Sequence, residues 1–199
     1  MSNFILTKEA ARLILLQRIQ LSGRLQKKFR KLFGRYLFTN FFAKFFVSTE
    51  TISKKYYELM INEFNTVKKY INNNDELYLS IGGGLGGLEL IINKNLKNKN
   101  YYFVEKNYIS QKIKYGWDVK NKEGYNNLKL LNSFLLNNGM ISSKINIFNF
   151  DTDKLPTKKF DVVVSLFSLD YHYDFKFYFD YLKQSSHSNT KIIFDTIRA

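Results

Sequence analysis

The sequence contains no cysteine, which excludes disulfide bonds, thiolate metal sites and any mechanism that uses a cysteine nucleophile. Its two histidines, His172 and His187, are too few to predict a dedicated metal site, so we expect no metal. No run of about 18 apolar residues is free of charge, which argues against a transmembrane helix. The first residues lack the basic, apolar and small-residue order of a signal peptide, so we expect a cytoplasmic protein.

Acidic residues are scarce near the start of the chain, where Glu9 is the only one among the first 45 residues. Ten lysines and arginines lie in the same segment, including five of the six arginines. The segment therefore carries +9 of the net charge of +14. From Leu25 to Leu37, apolar residues recur every three or four positions, which predicts an amphipathic helix whose other side is basic.

The basic segment, residues 1–47, has four interpretations on sequence grounds. In the first, its arginines bind an anionic substrate such as a phosphorylated or nucleotide-linked sugar. Alternatively, the amphipathic helix and the aromatic run Phe41–Phe46 lie on an anionic membrane surface, which would make the protein peripheral to the membrane. In the third, the segment binds RNA phosphates. In the fourth, one face packs on the rest of the protein and the other is solvated.

The chain divides into two predicted regions at an asparagine-rich turn, residues 72–75. Residues 1–72 are predicted to form a basic helical extension, with helices that start near Thr7, after Gly23 and at Ser48 or Thr49. Residues 73–199 alternate apolar strands with helical patterns, which indicates an α/β domain with a parallel sheet. The predicted strands are 76–81, 101–105, 145–150, 160–166 and 191–195, and two of the predicted helices cover 125–137 and 175–183.

A glycine-rich loop, Gly82-Gly83-Gly84-Leu85-Gly86-Gly87, directly follows the first predicted strand. Glycine adopts positive φ angles without strain, and the following helix presents free N–H groups to a ligand. The spacing fits both the G-x-G-x-G and the G-x-G-x-x-G nucleotide-binding templates. Glu105 ends the second strand, where an acid accepts hydrogen bonds from the ribose hydroxyls of either type of cofactor. The competing interpretation of the loop is a structural turn without a ligand. The competing interpretation of Glu105 is a solvated carboxylate at the end of a strand.

Two further stretches distinguish between these templates. Asp151 follows the third strand in the run Asp151-Thr152-Asp153-Lys154-Leu155-Pro156, and the fourth strand contains Phe160-Asp161-Val162-Val163-Val164-Ser165. In this order, the glycine loop, the acid and the two stretches resemble class I S-adenosylmethionine-dependent methyltransferases over residues 77–197. The resemblance implies a Rossmann-like, mostly parallel sheet and S-adenosyl-L-methionine as the cofactor.

The resemblance also implies roles for individual residues. Ser80 departs from the pattern, because the family often has an acid at this position. The implied cofactor residues are Gly82, Gly84 and Gly86 for the methionine part, with Gly83 in the same loop, Glu105 for the ribose, Asp151 for the adenine amino group and the backbone near Leu166 for the methyl donor.

The predicted sheet is shorter than the sheet of that family. The family has seven strands and ends in an antiparallel hairpin, whereas this sequence stops just after a fifth strand. We consider a minimal version of the fold, a sheet completed by a partner, and a truncated product. An exposed edge strand invites pairing with another chain, so an oligomer formed through this edge is among the expectations.

The segment Ser165–Tyr173 follows the fourth strand, beside the expected methyl donor. It resembles a Ser-Leu-x-Ser-Trp-x-Phe-His-Tyr stretch of sugar O-methyltransferases, and it lacks the Asn-Pro-Pro-Tyr type motif of enzymes that methylate amino groups of bases. This favours a hydroxyl of a saccharide-like small molecule as the acceptor. Because such a hydroxyl loses its proton during transfer, His172 is the candidate base and Asp170 its orienter or a second candidate. A packed or surface histidine is the competing interpretation.

Three other functions remain open at this point. The basic charge favours an RNA methyltransferase. The second glycine template favours an NAD-dependent oxidoreductase, although no Tyr-x-x-x-Lys dyad follows the fourth strand. The early end of the sheet favours a catalytically inactive, truncated binding domain.

Overall fold

The structure, a computed structural model, describes residues 3–23, 27, 28, 32, 48–110, 124–168 and 175–196. Most of the predicted basic amphipathic helix, 25–37, and the aromatic run 41–46 lie outside the described residues. None of the helices formed by the described residues is long and apolar enough to cross a membrane.

Two helices from the first region are described, and each begins at a side chain that caps it. Helix α1 covers Lys8–Gln17, and the Thr7 hydroxyl accepts a hydrogen bond from the backbone N–H of Ala10. Helix α2 covers Thr49–Val67, and the Ser48 hydroxyl accepts one from Thr51. Such caps satisfy N–H groups that have no partner within the helix. Both helix starts confirm the sequence prediction.

The rest of the described chain forms a five-stranded sheet in which every neighbouring pair of strands is parallel. The strand order is β3-β2-β1-β4-β5, which confirms the predicted α/β, Rossmann-like class. A helix connects β1 to β2, β2 to β3 and β4 to β5. The elements are β1 Leu77–Ile81, α3 Gly87–Asn95, β2 Asn100–Glu105, α4 Leu128–Asn137, β3 Ile145–Asn149, β4 Phe160–Ser165, α5 Lys176–Ser185 and β5 Ser186–Phe194.

Two element boundaries differ from the prediction by more than two residues. Strand β5 begins at Ser186 rather than at 191, because Phe160 pairs with Ser186 before the register shifts. His187 therefore lies in this strand. Helix α4 begins at Leu128 rather than at 125, because the Asn127 side chain caps it by accepting a hydrogen bond from Leu130.

Hydrophobic side chains pack on both faces of the sheet. On one face, Tyr78 and Phe103 join a cluster formed with α1, α2, α3 and α4. On the other face, Leu79 and Val163 pack against α5. The helices of the first region thus share a hydrophobic core with the sheet, and the division of the chain into two domains at residue 72 stays a prediction. Because all five strands run in parallel, their carboxyl ends meet at one edge, where ligands bind in sheets of this kind.

Gly86 lies where the helices pack closely on the sheet, so a substitution there measures how tight this packing is. Its φ is +75°, and an added Cβ atom would lie 2.9 Å from Leu135 and 3.0 Å from Phe103. Gly139 has a φ of +89° with no atom within 4 Å of such a Cβ atom. Gly139→Ala should therefore cost only backbone strain, about 1–2 kcal/mol, whereas Gly86→Ala should cost about 2–5 kcal/mol because overpacking adds to it.

Urea unfolding of the two variants measures this difference in the free energy of unfolding. Equal losses in the two variants would show that helix packing at Gly86 is looser than the structure indicates.

Candidate cofactor site

The glycine turn joins the carboxyl end of β1 to the first residue of α3. Gly82, Gly84 and Gly86 have φ angles of +67°, +70° and +75°. At Gly82 the absence of a side chain also has a steric reason, because an added Cβ atom would lie 1.9 Å from the Ser168 hydroxyl. The turn therefore lies against the residues that follow β4. Because residues 82–84 are all glycines, none of their side chains covers the backbone there.

The Glu105 carboxylate holds the glycine turn from the neighbouring strand. Its Oε1 accepts a hydrogen bond of 2.8 Å from the backbone N–H of Gly84. On the other side of the same residue, the Asn126 amide donates a bond of 2.7 Å to the carbonyl of Gly84. Glu105 is only 5% exposed, and burial raises the pKa of its carboxyl to about 8. The turn and the carboxylate are thus fixed relative to each other before any ligand binds.

A pocket opens where these groups meet. It encloses about 820 Å³ of empty space, including solvent at its mouth. Its walls come from the glycine turn, the end of β2, the loop 124–126, the residues that follow β4 and the end of α1. Carboxylate, amide and backbone groups stand beside the apolar side chains of Val104, Phe150 and Leu166. Such a lining suits a ligand with a polar sugar-like part and an apolar ring.

Five of the predicted cofactor residues line this pocket: Gly82, Gly83, Gly84, Glu105 and Leu166. Gly86 does not line it, contrary to its expected place beside the cofactor. The physical reason is that Gly86 caps α3 and faces Leu135 and Phe103 in the core. Two glycines of the G-x-G-x-G motif, Gly82 and Gly84, therefore line the pocket. The third, Gly86, allows close packing in the core.

Asp151 does not line the pocket either, and its carboxylate forms an ion pair of 2.9 Å with the Lys106 ammonium. Lys106 itself lines the pocket and lies 5.5 Å from the centre of the Phe150 ring. The predicted contact between Asp151 and the adenine amino group stays a prediction. In this structure Asp151 acts on the pocket by positioning Lys106.

The predicted catalytic residues Asp170 and His172 lie outside the described residues. The other histidine, His187, lies at the start of β5, 3.1 Å from Asp161. Asp161 in turn accepts backbone hydrogen bonds from Glu76 and Leu77, just before and at the start of β1. This cluster lies at the amino ends of the strands, at the opposite edge from the pocket.

The end of α1 contributes two residues to the pocket that the sequence analysis did not single out, Gln17 and Arg18. The Gln17 amide donates a hydrogen bond of 2.7 Å to the carbonyl of Tyr125, in another wall of the pocket. The Arg18 guanidinium lies 4.7 Å from the centre of the Phe167 ring, a cation–π distance. The helical extension is therefore part of the site. In the sequence, only the presence of Arg18 in the basic segment pointed to this role.

Phe167 has a φ of +60°, which is unusual for a residue other than glycine. Such strained backbone is found at ligand sites more often than elsewhere, because the surrounding structure must hold it. Here it directs the ring, which is 41% exposed, towards Arg18 at the pocket.

Arg18 also forms an ion pair with Glu63 of α2, with Nη1 and Oε1 3.0 Å apart. A weaker hydrogen bond of 3.4 Å runs from Nη2 to Oε2. Both side chains are largely buried, and burial raises the pKa of Glu63 to about 7 even though Arg18 opposes the shift. Removing one partner of such a buried pair typically costs about 3–5 kcal/mol, because the other charge stays unpaired.

Glu89 of α3 supplies an acid next to Ser80, the position at which the family resemblance fails. The Ser80 hydroxyl donates a hydrogen bond of 2.6 Å to Glu89 Oε1. Glu89 is 1% exposed, and burial raises the pKa of its carboxyl. An added Cβ atom at Gly83 would lie 2.3 Å from the Ser80 hydroxyl and 3.2 Å from Glu89. The carboxylate missing from β1 is thus present directly beneath the glycine turn.

Comparisons with known proteins agree with this fold. No protein-family model and no curated protein matches the sequence. Coclaurine N-methyltransferase, in a crystal structure bound to N-methylheliamine and SAH, is 12% identical, with a TM-score of 0.50 over 76% of this chain. This chain spans 38% of the length of that protein. The match shows that the two proteins share a fold.

Two other solved structures were also found. An S-adenosylmethionine-dependent methyltransferase from Clostridium acetobutylicum is 19% identical, with a TM-score of 0.44 over 87% of this chain and 58% of its own. A plantazolicin methyltransferase in complex with a monoazolic substrate analogue and SAH is 12% identical, with a TM-score of 0.39 over 88% of this chain and 56% of its own.

Proposed function

We propose that this protein is an S-adenosylmethionine-dependent methyltransferase. The observation that carries the proposal is the buried Glu105 carboxylate at the end of β2, fixed 2.8 Å from the backbone N–H of Gly84 in the glycine turn. A carboxylate in this position accepts hydrogen bonds from both hydroxyls of a ribose. The order of motifs along the chain and the fold shared with coclaurine N-methyltransferase support S-adenosyl-L-methionine as the ribose-containing ligand.

The residues of the pocket fit this cofactor. Glu105 would bind the ribose, and the uncovered backbone of Gly82–Gly84 would lie along the methionine part. Val104 and Phe150 offer apolar surface to the adenine, and Leu166 would line the methyl donor. When bound, the cofactor supplies an electrophilic methyl group. The chain itself aligns the acceptor and excludes water, and alignment provides a large part of the acceleration in such reactions.

The acceptor in our proposal is a hydroxyl of a small, saccharide-like molecule. The proposal rests on the resemblance of Ser165–Tyr173 to sugar O-methyltransferases, and coclaurine N-methyltransferase also has a small molecule bound. His172 would accept the hydroxyl proton and Asp170 would orient the histidine. An anionic membrane surface contacted by the basic segment, and an oligomer formed through the β5 edge, are secondary parts of the proposal. RNA is the alternative acceptor, motivated by the charge of +9 in the first 45 residues.

Calorimetry with S-adenosylhomocysteine and NAD, each titrated into the same protein preparation, tests the cofactor. We expect S-adenosylhomocysteine to bind and NAD not to bind. Glu105→Ala should abolish or strongly weaken binding, because the ribose loses its acceptor, whereas Glu76→Ala changes an exposed acid outside the pocket and should have no effect. Binding of NAD alone would contradict the proposal, and binding of neither ligand would favour an inactive domain.

His172→Ala tests the catalytic base. The variant should bind S-adenosylhomocysteine as the unaltered protein does, while methyl transfer to a hydroxyl acceptor should fall about 10²–10⁴-fold, which is the usual contribution of a general base. The measurement is transfer of a labelled methyl group to a panel of saccharides, with His187→Ala as the matched histidine control. Unchanged turnover in the His172 variant would remove this residue from the mechanism.

A further inference from the structure

Arg18 is a charged residue of the pocket whose hydrogen-bonding capacity is largely unused by the described residues. A guanidinium has five N–H donors. Its Nη2 makes a long bond of 3.4 Å to Glu63, and Nη1, although 3.0 Å from Glu63 Oε1, is buried and forms no hydrogen bond with the described residues. The side chain is 12% exposed and lines both the main pocket and a small cleft beside Gly83 and Leu166. Buried donors without good acceptors favour a ligand that supplies them.

The charge of Arg18 is only partly balanced by the acids around it. Burial raises the pKa of Glu63 to about 7, so this carboxyl is about half protonated near neutral pH. Burial also raises the pKa of Glu105 to about 8 and raises the pKa of Glu89, so these two carboxyls are largely neutral as well. An arginine, in contrast, stays charged. Near neutral pH, Arg18 therefore has an incomplete counterion.

Lys106 differs from Arg18 in this respect. It is the other cation that lines the main pocket within the described part of the chain. Its ammonium lies 2.9 Å from the Asp151 carboxylate, which supplies a counterion. Arg18 is therefore the better candidate for binding an anion in the pocket.

We propose that Arg18 binds an anionic group, a phosphate or a carboxylate, of the acceptor molecule. The inference rests on the proposed function and adds a substrate class to it. The hydroxyl that receives the methyl group would belong to an acidic small molecule, such as a phosphorylated saccharide.

The surroundings of Arg18 favour the reacting end of the pocket as the place for this group. The guanidinium lies 4.7 Å from the centre of the Phe167 ring, and Phe167 directly follows Leu166, the residue expected beside the methyl donor. The ring is 41% exposed, and its backbone φ is +60°. A guanidinium over an aromatic ring keeps the N–H groups along its edge available to an anion. An anion bound to Arg18 would therefore stand close to the expected methyl group.

The charge of the protein favours the acceptor, rather than the cofactor, as the source of the anion. S-adenosylmethionine has a carboxylate, an ammonium and a cationic sulfur, so its net charge is about +1 at neutral pH. The protein carries +14, of which +9 lies in the first 45 residues, the segment that contains α1. Such a protein attracts anionic ligands and repels cationic ones. An acidic acceptor is therefore the ligand whose approach this charge promotes.

NMR titration with inorganic phosphate tests the proposal, because phosphate presents the anionic group without requiring the acceptor to be known. The titrations use the isotope-labelled full chain at constant ionic strength, with and without saturating S-adenosylhomocysteine. We expect phosphate to shift the Arg18 Nε–H signal and the Phe167 amide signal in a saturable manner. We also expect phosphate and S-adenosylhomocysteine to bind together, because the acceptor and the cofactor occupy the site at the same time.

Two variants distinguish anion binding by Arg18 from a purely structural role of its ion pair. Arg18→Gln should weaken phosphate binding at least about tenfold, because it removes the charged donors. Glu63→Gln should preserve or strengthen phosphate binding, because it removes the competing carboxylate and keeps Arg18. A purely structural ion pair predicts instead that both variants bind phosphate more weakly.

A double variant and a control complete the series. Arg18→Gln combined with Glu63→Gln leaves neither member of the ion pair charged, so it tests the loss of phosphate binding without an unpaired buried carboxylate. It should bind phosphate as weakly as Arg18→Gln. Lys8→Gln is the matched control, because it removes one positive charge from an exposed position on the same helix and lines neither cavity. It should bind phosphate as the unaltered protein does.

The outcomes separate this inference from the proposed function. The absence of saturable shifts at Arg18 and Phe167 would overturn the inference, as would equal weakening in Lys8→Gln and Arg18→Gln or weaker binding in Glu63→Gln. Displacement of phosphate by S-adenosylhomocysteine would also overturn it, because Arg18 would then bind the carboxylate of the cofactor. Failure of S-adenosylhomocysteine to bind would overturn the proposed function, and phosphate titration of the ligand-free protein would still decide whether Arg18 binds anions.

Discussion

Gly84 is held from both sides, and the geometry of the whole site depends on this arrangement. Its N–H donates to Glu105 at the end of β2, and its carbonyl accepts from Asn126 in the loop before α4. A side chain at Gly84 would meet Gln17 from α1, at 2.8 Å from the amide oxygen. Three elements distant in sequence thus converge on one glycine, and the buried carboxylate remains in place because the turn satisfies it.

The same convergence explains why the helical extension belongs to the site. Helix α1 packs on α2 and on the sheet through a shared hydrophobic cluster. Its last turn then carries Gln17 and Arg18 to the pocket, and Arg18 meets Glu63 from α2. The result is a pocket with a strained aromatic residue, Phe167, on one side and buried acids beneath the glycine turn.

The sequence predicted the parts of the fold that depend on local pattern. Apolar runs located four strands closely, and the glycine turn and Glu105 followed from their positions relative to those strands. Strand β5 was predicted too short because its first residues, Ser186–Thr190, are polar and resemble a loop, although Ser186 pairs with Phe160 of β4. Glu89 was missed because an acid within a helix usually faces solvent, and Arg18 because its place at the pocket depends on how α1 packs.

We propose that Glu105 and the glycine turn together hold the ribose and methionine parts of one cofactor. A crystal structure of the protein with S-adenosylhomocysteine tests it most directly. We expect both ribose hydroxyls within hydrogen-bond distance of the Glu105 carboxylate, and the methionine part along the backbone of Gly82–Gly84. A ligand bound elsewhere, or one that leaves Glu105 bonded only to Gly84 and away from the ribose, would contradict the account.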